Sequence, residues 1–432
     1  MKLLDELKWR GLVSHTTDEN KLSKLLEGKP ISFYCGFDPT APSLHHGNLV
    51  QIILMRHLQL KGHKPYLVIG GATGLIGDPR QSGERIMQTK EKVIQWTEIL
   101  SEQTKQFFDF TGPNSAQIVN NFDWTKNITV IDFLRDIGKY FRVGNMISKE
   151  TVAKRLNSPD GISYTEFSYQ VMQALDYLCL YKKYNIVLQT GGQDQWGNLT
   201  AGLDLIKKSA GQEVSVLTTP IITKADGSKF GKSEDGQTVW LDPNMMSPYT
   251  FYQFWFNVSD QDAEKLLKIF TFLSIDEINN IIEQAKSNPA ERLSQRILAE
   301  NITEFVHGKK GLSAAKAATN FFFGKIKNDI DKMDIEKNID EKTFYQVLFS
   351  IKNQELTKIS NGENIIEVFL QSGLIQSKSD GRRSIKEGSL YLNHQRITDE
   401  LYKLNSNDFF YGKYALLKKG KKNTAGIVLD KN

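Results

Sequence analysis

The chain has 432 residues, 40% hydrophobic and 24% charged, with a formal net charge of +5. That balance excludes a disordered chain, and at this length a single ordinary core, so two or three globular domains are expected. The two cysteines, Cys35 and Cys179, stand in no paired motif, which argues against a disulfide framework or a structural zinc site and for a reducing cytoplasmic setting.

In chain order, MKLLDELKWRGL and NKLSKLLEG predict short amphipathic helices. The opening residues carry acids among the apolar ones and lack the apolar region of a signal peptide. ISFYCGF predicts a strand from its β-branched and aromatic content. NLVQIILMRHLQLKG predicts a helix ended by Gly62, its apolar run far too short to span a membrane. KPYLVIGG is a second buried strand running into the turn GGATGLIGD. KEKVIQWTEILSEQTKQFF reads as a long helix and AQIVNN as a strand. TVIDFLRDIGKYF and SYTEFSYQVMQALDYLCLY read as helices, followed by strand NIVLQTGG and helix QWGNLTAGLDLIKKSAG.

Strand alternating with helix predicts an α/β, Rossmann-like parallel-sheet catalytic domain over 1–228 with an inserted helical segment. An α-helical domain is expected over 229–324, a charged linker over 325–355 that could also be a weakly packed edge, and a small α+β domain over 356–432.

The stretch YCGFDPTAPSLHHGNL runs from a strand end into a helix start. In a parallel sheet, ligands bind beyond the carboxyl ends of strands, and a helix N-terminus offers free N–H groups to a phosphate. Gly36 and Gly47 allow close backbone approach. Thr40, His45 and Asn48 can donate to phosphate oxygens. Further on, KADGSKFGKSEDG places Lys229 and Lys232 in a glycine-rich loop.

HHGN and KFGKS, in this order, resemble the two signatures of class I aminoacyl-tRNA synthetases, His-Ile-Gly-His and Lys-Met-Ser-Lys-Ser. GFDPT, GGATGLIGDP, FLRDIGKYFRVGNM, FSYQVMQALDYL and QTGGQDQWGN resemble the bacterial tyrosyl enzymes in particular, and the likeness covers essentially the whole chain. Asn48 departs from the pattern, standing where the signature has its second histidine. A neutral amide donor still serves an oxyanion, so activity is expected to survive.

Tyr169, Gln173 and Asp176 share a helix face at i, i+4 and i+7. The resemblance implies that Tyr34 and Asp176 contact a tyrosine phenol, that Asp78, Tyr169 and Gln173 hold its ammonium group, and that Gln195 lies near its carboxylate. It further implies nucleotide contacts from Gly36, Asp38, Gly47, Gly192, Asp194 and Lys232, with Asp194 accepting from the ribose. ATP is the expected co-substrate with Mg2+, and no protein metal cage is expected. Catalysis is expected from Thr40, His45, Asn48, Lys229 and Lys232.

LIQSKSDGRRSIKEGSLYLNHQRI resembles a small RNA-binding module of a ribosomal small-subunit protein. Lys378, Arg382, Arg383 and Lys386 are its expected phosphate contacts, with tRNA(Tyr) as partner. Gly388 is expected to turn a helix into the strand SLYLN, and Lys418, Lys419, Lys421 and Lys422 add a basic cluster. The resemblance also implies a homodimer through the region FLRDIGKYFRVGNMISKE, where Phe133, Leu134, Ile137, Tyr140 and Phe141 could equally be core. Three other readings compete: a tryptophanyl enzyme, a small nucleotidyltransferase and a non-catalytic RNA-binding protein. The pairing of Tyr34 with Asp176, the KFGKS loop and the two lysines argue against them in turn.

Overall fold

The computed structural model describes residues 1–79, 87–159, 161–228, 230–231, 236–323, 332–350, 356–420 and 423–430. The chain forms two compact units, Met1–Met245 with Trp255–Val306, and Met246–Phe254 with His307–Asn432. These borders differ from the segments expected from sequence: the helices up to Val306 join the unit that holds the parallel sheet.

The first unit is built on β1 (His15–Thr16), β2 (Ser32–Phe37), β3 (Lys64–Ile69), β4 (Gln117–Asn120), β5 (Ile186–Gly192) and β6 (Ser215–Thr219). Their order in the sheet is β1-β6-β5-β2-β3-β4. Five strands run parallel and β1 pairs antiparallel with β6. Parallel neighbours need crossover connections, supplied by helices such as His46–Leu60, Lys90–Lys105 and Trp196–Ala210. The chain leaves β2 towards β3 and β4, then returns to add β5 and β6 on the other side. The carboxyl ends of β2 and β5 therefore flank a topological switch point, where a crevice opens. Phe33, Tyr34, Cys35 and Phe37 are all buried, which is why β2 reads as a continuous apolar run rather than an alternating one.

The four strands expected from sequence are β2 to β5. Strands β1 and β6 escaped that reading: β1 has only two residues, and β6, SVLTT, is buried throughout but polar in composition. The expected helix over TVIDFLRDIGKYF is broken into a short α turn (Val130–Asp132), a π-helical turn (Phe133–Ile137) and a 3-10 turn (Gly138–Tyr140). The change of winding rotates Ile137, Tyr140 and Phe141 onto the buried cluster around Tyr34 and Tyr177, while Leu134 stays exposed. Helix Tyr164–Tyr184 closes on Asn185 in the left-handed conformation and packs on Trp196–Ala210, where Gly202 lies against the Tyr177 ring.

The second unit carries β7 (Thr357–Ile359), β8 (Leu390–Leu392), β9 (Gln395–Arg396), β10 (Tyr414–Lys419) and β11 (Asn423–Leu429). Their order is β7-β11-β10-β8-β9. Helices Ile365–Gln371 and Lys378–Lys386 cover a core that includes Ile366, Phe369, Leu390 and Leu417. Part of the expected linker is not a linker. Helix Glu341–Ser350 buries Phe344, Val347 and Leu348, and Ile339 is buried just after helix Lys332–Asn338, all in one cluster with Phe321, Phe322 and Phe410. Few apolar residues suffice there because they fall on one face. Residues 325–331 and 351–355 of that segment lie outside the described residues. Among the described residues no helix is long and apolar enough to cross a membrane.

Candidate active site

A cavity of ≈ 360 Å³ opens at the carboxyl ends of β2 and β5, on the first unit alone. One wall is the start of helix His46–Leu60. His45 is its N-cap: the imidazole Nδ1 accepts from the Gly47 N–H at 3.0 Å, and the Asn48 Oδ1 accepts from the His45 N–H at 3.1 Å. This reciprocal capping fixes two orphan donors of the helix start. It also sets the chemistry of both side chains. An Nδ1 that accepts leaves the proton on Nε2, so neutral His45 is a donor. Burial holds the His45 pKa below its usual value, and burial followed by the neighbouring His45 takes His46 down to about 4. Asn48 commits its oxygen to the cap and retains its amide N–H groups.

The cleft floor holds the two groups expected at a phenol. Tyr34 on β2 is buried and its hydroxyl has no hydrogen-bond partner. Its ring meets Tyr177 edge-on at 5.2 Å. Asp176 is buried on helix Tyr164–Tyr184. Its Oδ2 accepts from the Asn121 amide at 3.0 Å and its Oδ1 from the Trp124 indole at 2.8 Å. Burial raises the Asp176 carboxyl to about 7 against the pull of those two donors. Burial, then the Asp176 charge, pushes the Tyr34 hydroxyl well above its usual value. The pair is poised for a guest that supplies a hydroxyl, because both have unused hydrogen-bonding capacity in a site that water reaches poorly.

Around this pair runs a connected network. Asn121 also donates to Thr73 Oγ1 at 2.9 Å, and Thr73 donates to Asp38 Oδ1 at 2.7 Å. The Tyr169 hydroxyl donates to Asp38 Oδ2 at 2.7 Å. Asp38 is thus joined to Tyr169, on the side expected for the amino acid. Asp78 accepts from Gln195 Nε2 at 2.8 Å and from Asn198 Nδ2 at 2.9 Å. Gln173 lines the cavity with a buried, unpartnered Oε1. Gly36 opens onto the cleft with nothing near the place of a Cβ, and a Cβ at Gly192 would lie 2.4 Å from the Asp194 carboxylate.

Of the expected residues, the cavity gathers Tyr34, Gly36, Asp38, His45, Gly47, Asn48, Tyr169, Gln173, Asp176, Gly192, Asp194 and Gln195. Asp78 joins them through Gln195. Thr40 is exposed on the loop after β2 and is not part of the lining. Lys229 and Lys232 lie outside the described residues. Between them, Gly231 sits so close to His46 that a Cβ would fall 1.6 Å from Nε2, and Phe230 lines the cavity. Sequence reasoning missed Thr73, Asn121, Trp124 and Asn198. Asn121 and Trp124 follow directly on β4, and only strand order brings them to helix Tyr164–Tyr184.

On the second unit, helix Lys378–Lys386 carries the four expected basic residues, and three have acidic partners. Lys378 pairs with Glu367, Arg382 with Glu400 at 3.3 Å, and Arg383 with Asp380 at 2.9 Å. Lys386 is exposed, with no ion pair found among the described residues. Gly388 has φ +67° and admits the Arg396 guanidinium where a Cβ would stand. Lys418 is buried, Lys419 pairs with Asp380 at 2.7 Å, and Lys421 and Lys422 lie outside the described residues.

Comparison with known proteins gives the same direction. Residues 26–324 match the model of the class I tRNA synthetases for tryptophan and tyrosine, and 346–426 match the C-terminal domain of tyrosine–tRNA ligases. The chain is 52% identical over 426 residues to the tyrosine–tRNA ligase of Bifidobacterium longum strain DJO10A, covering 97% of this chain and 95% of that one. It is 48% identical to the Streptomyces avermitilis tyrosine–tRNA ligase, covering 98% of each. The solved C-terminally truncated mitochondrial tyrosyl-tRNA synthetase of Aspergillus nidulans superposes with a TM-score of 0.67 at 29% identity, covering 73% of this chain and 92% of that one. With its buried tyrosine–aspartate pair beside a capped helix start, the chain belongs to the class I tyrosyl-tRNA synthetases.

Proposed function

We propose that this protein activates L-tyrosine with ATP to tyrosyl-adenylate and transfers the tyrosine to the terminal ribose of tRNA(Tyr). One observation carries the substrate choice: a buried Tyr34 hydroxyl without a partner, beside the buried Asp176 carboxylate. A tyrosine phenol satisfies both, donating to Asp176 and accepting from Tyr34. Phenylalanine leaves both stranded; the tyrosine enzymes as a family discriminate against it by about 10⁵-fold. The substrate ammonium group is assigned to Tyr169, Gln173 and Asp78, with Asp38 added because its carboxylate shares the Tyr169 hydroxyl.

In the first step the substrate carboxylate, already ionised, attacks the α-phosphorus of ATP, and the bond to the β-phosphate oxygen breaks to release pyrophosphate. The reaction needs no general base and no enzyme nucleophile, so positioning and charge stabilisation dominate. His45 Nε2–H, the Asn48 amide and the Thr40 hydroxyl are assigned to the departing phosphates, with Lys229 and Lys232 closing on them. Gly36, Gly47, Gly192 and Asp194 are assigned to the nucleotide. Mg2+ is proposed to enter on the ATP phosphates; among the described residues no group of three or more His, Cys, Asp or Glu is placed to hold a metal. In the second step a ribose hydroxyl attacks the adenylate carbonyl and AMP leaves.

Lys378, Arg382, Arg383 and Lys386 are assigned to tRNA phosphates. Exposed ion pairs contribute little, so the acids can be exchanged for phosphate at low cost. A homodimer is proposed through 133–150, where Leu134, Val143 and Ile147 are 49, 59 and 40% exposed. A cytoplasmic location is part of the same proposal. Exchange of labelled pyrophosphate into ATP tests the reading: exchange stimulated by tyrosine and by neither phenylalanine nor tryptophan is expected. Exchange with tryptophan in place of tyrosine overturns it.

A further inference from the structure

The side chain that follows the second signature reaches back to the first. Residues 239–241 run antiparallel to 44–46: the His46 N–H donates to the Val239 carbonyl at 3.0 Å, and the Leu241 N–H donates to the Leu44 carbonyl at 2.9 Å. Trp240 is the residue bridged to His45, and its half-buried ring meets the imidazole edge-on at 6.2 Å and 65°. On the other side His46 flanks His45 at 5.4 Å. His46 is itself packed on Gly231 and on Phe230, whose ring lies 6.4 Å away. Gly231 has φ +116°, a conformation that favours glycine, and leaves room for the His46 ring. The imidazole assigned to the leaving phosphates is thus framed by two rings and pinned through Nδ1 by the helix cap.

We propose that Trp240 is a positioning residue for tyrosine activation, acting through His45. A T-shaped ring contact fixes the rotation of the imidazole, and the strand bridge that carries it keys the chain leaving the KFGKS loop to the helix start. A donor aimed at developing charge must be held within a fraction of an ångström to act in the transition state, so loosening it lowers turnover without touching the amino-acid pocket. The inference rests on the assignment of His45 to ATP and on the activation reaction proposed above.

The test is a double-mutant cycle in the full chain, read by tyrosine-dependent pyrophosphate exchange, with tyrosine affinity measured by equilibrium dialysis. Trp240→Leu is expected to lower kcat about tenfold at unchanged tyrosine Kd, and Trp240→Phe to recover most of that loss. His45→Asn keeps a side chain suited to capping but withdraws the Nε2 donor. Trp240→Leu added to His45→Asn is expected to cost no further activity, because the indole then has nothing to aim. Losses that multiply in the double variant overturn the proposal, as does a Trp240→Leu defect confined to tyrosine binding. Should Trp240→Leu fail to fold, Trp240→Met, which also lacks a ring, is carried through the same cycle with the same two outcomes. A wild-type chain with no tyrosine-dependent exchange defeats the functional reading instead, a result distinct from a multiplicative cycle.

Discussion

Tyrosine binding should be linked to the ionisation of Asp176. Burial lifts this carboxyl from its usual 3.8 to about 7. A raised carboxyl pKa means that the folded state holds the proton more tightly than the unfolded chain. The resulting stability is present below the unfolded value and is lost as pH rises through the folded one. Above pH 7 the ionised Asp176 carboxylate therefore costs the folded state on the order of a few kcal/mol. A substrate hydroxyl that donates to the carboxylate relieves part of it, so binding favours the ionised form. The tyrosine Kd should therefore weaken about tenfold per pH unit below about 7 and level off above it. Equilibrium dialysis of labelled tyrosine between about pH 5.5 and 8.5 measures this. Asp176→Asn should flatten the profile while weakening binding, and should raise urea-melt stability at pH 8 relative to pH 5. A wild-type Kd that is constant across this range refutes the assignment of Asp176 as the phenol acceptor.

Other perturbations test neighbouring parts of the molecule. Asn48→Ala removes the acceptor of the His45 N–H and should cost about 1 kcal/mol in a denaturant melt together with a lower exchange rate; an unchanged rate leaves Asn48 without a role in activation. Gly70→Ala places a Cβ 1.9 Å from Asp38 Oδ1 and 2.4 Å from Thr73 Oγ1, so tyrosine affinity should fall by about an order of magnitude or more as the network around Asp38 shifts, seen by dialysis. Glu166→Ala removes the carboxylate that the buried Arg155 guanidinium donates to at 2.8 Å, and should destabilise the fold by about 1.5–3 kcal/mol in urea unfolding, the scale of a lost hydrogen bond to a charged group. Lys386→Ala should weaken tRNA binding and reduce the slope of log K against log salt by about one unit, measured by filter binding across a salt series.

The strand–helix alternation, the order of the two signatures and the chemical types in the cleft are all legible along the chain. These depend on local pattern: β2 to β5 are short apolar runs, and Tyr169, Gln173 and Asp176 share a face because a helix repeats every 3.6 residues. What those groups do to one another follows from the folded arrangement. Asp176 is tuned by Asn121 and Trp124, residues 55 and 52 positions away, which meet it only because β3 pairs with β2 on one side and with β4 on the other. Helix capping selected the donating tautomer of His45 and claimed the Asn48 oxygen, and neither outcome is encoded in spacing along the chain. The segment after 331 looked like a linker because composition counts apolar residues, whereas packing depends on whether they share a face. Periodicity reports neighbours within a turn or two; strand order and burial decide which distant side chains share a proton or a hydrogen bond.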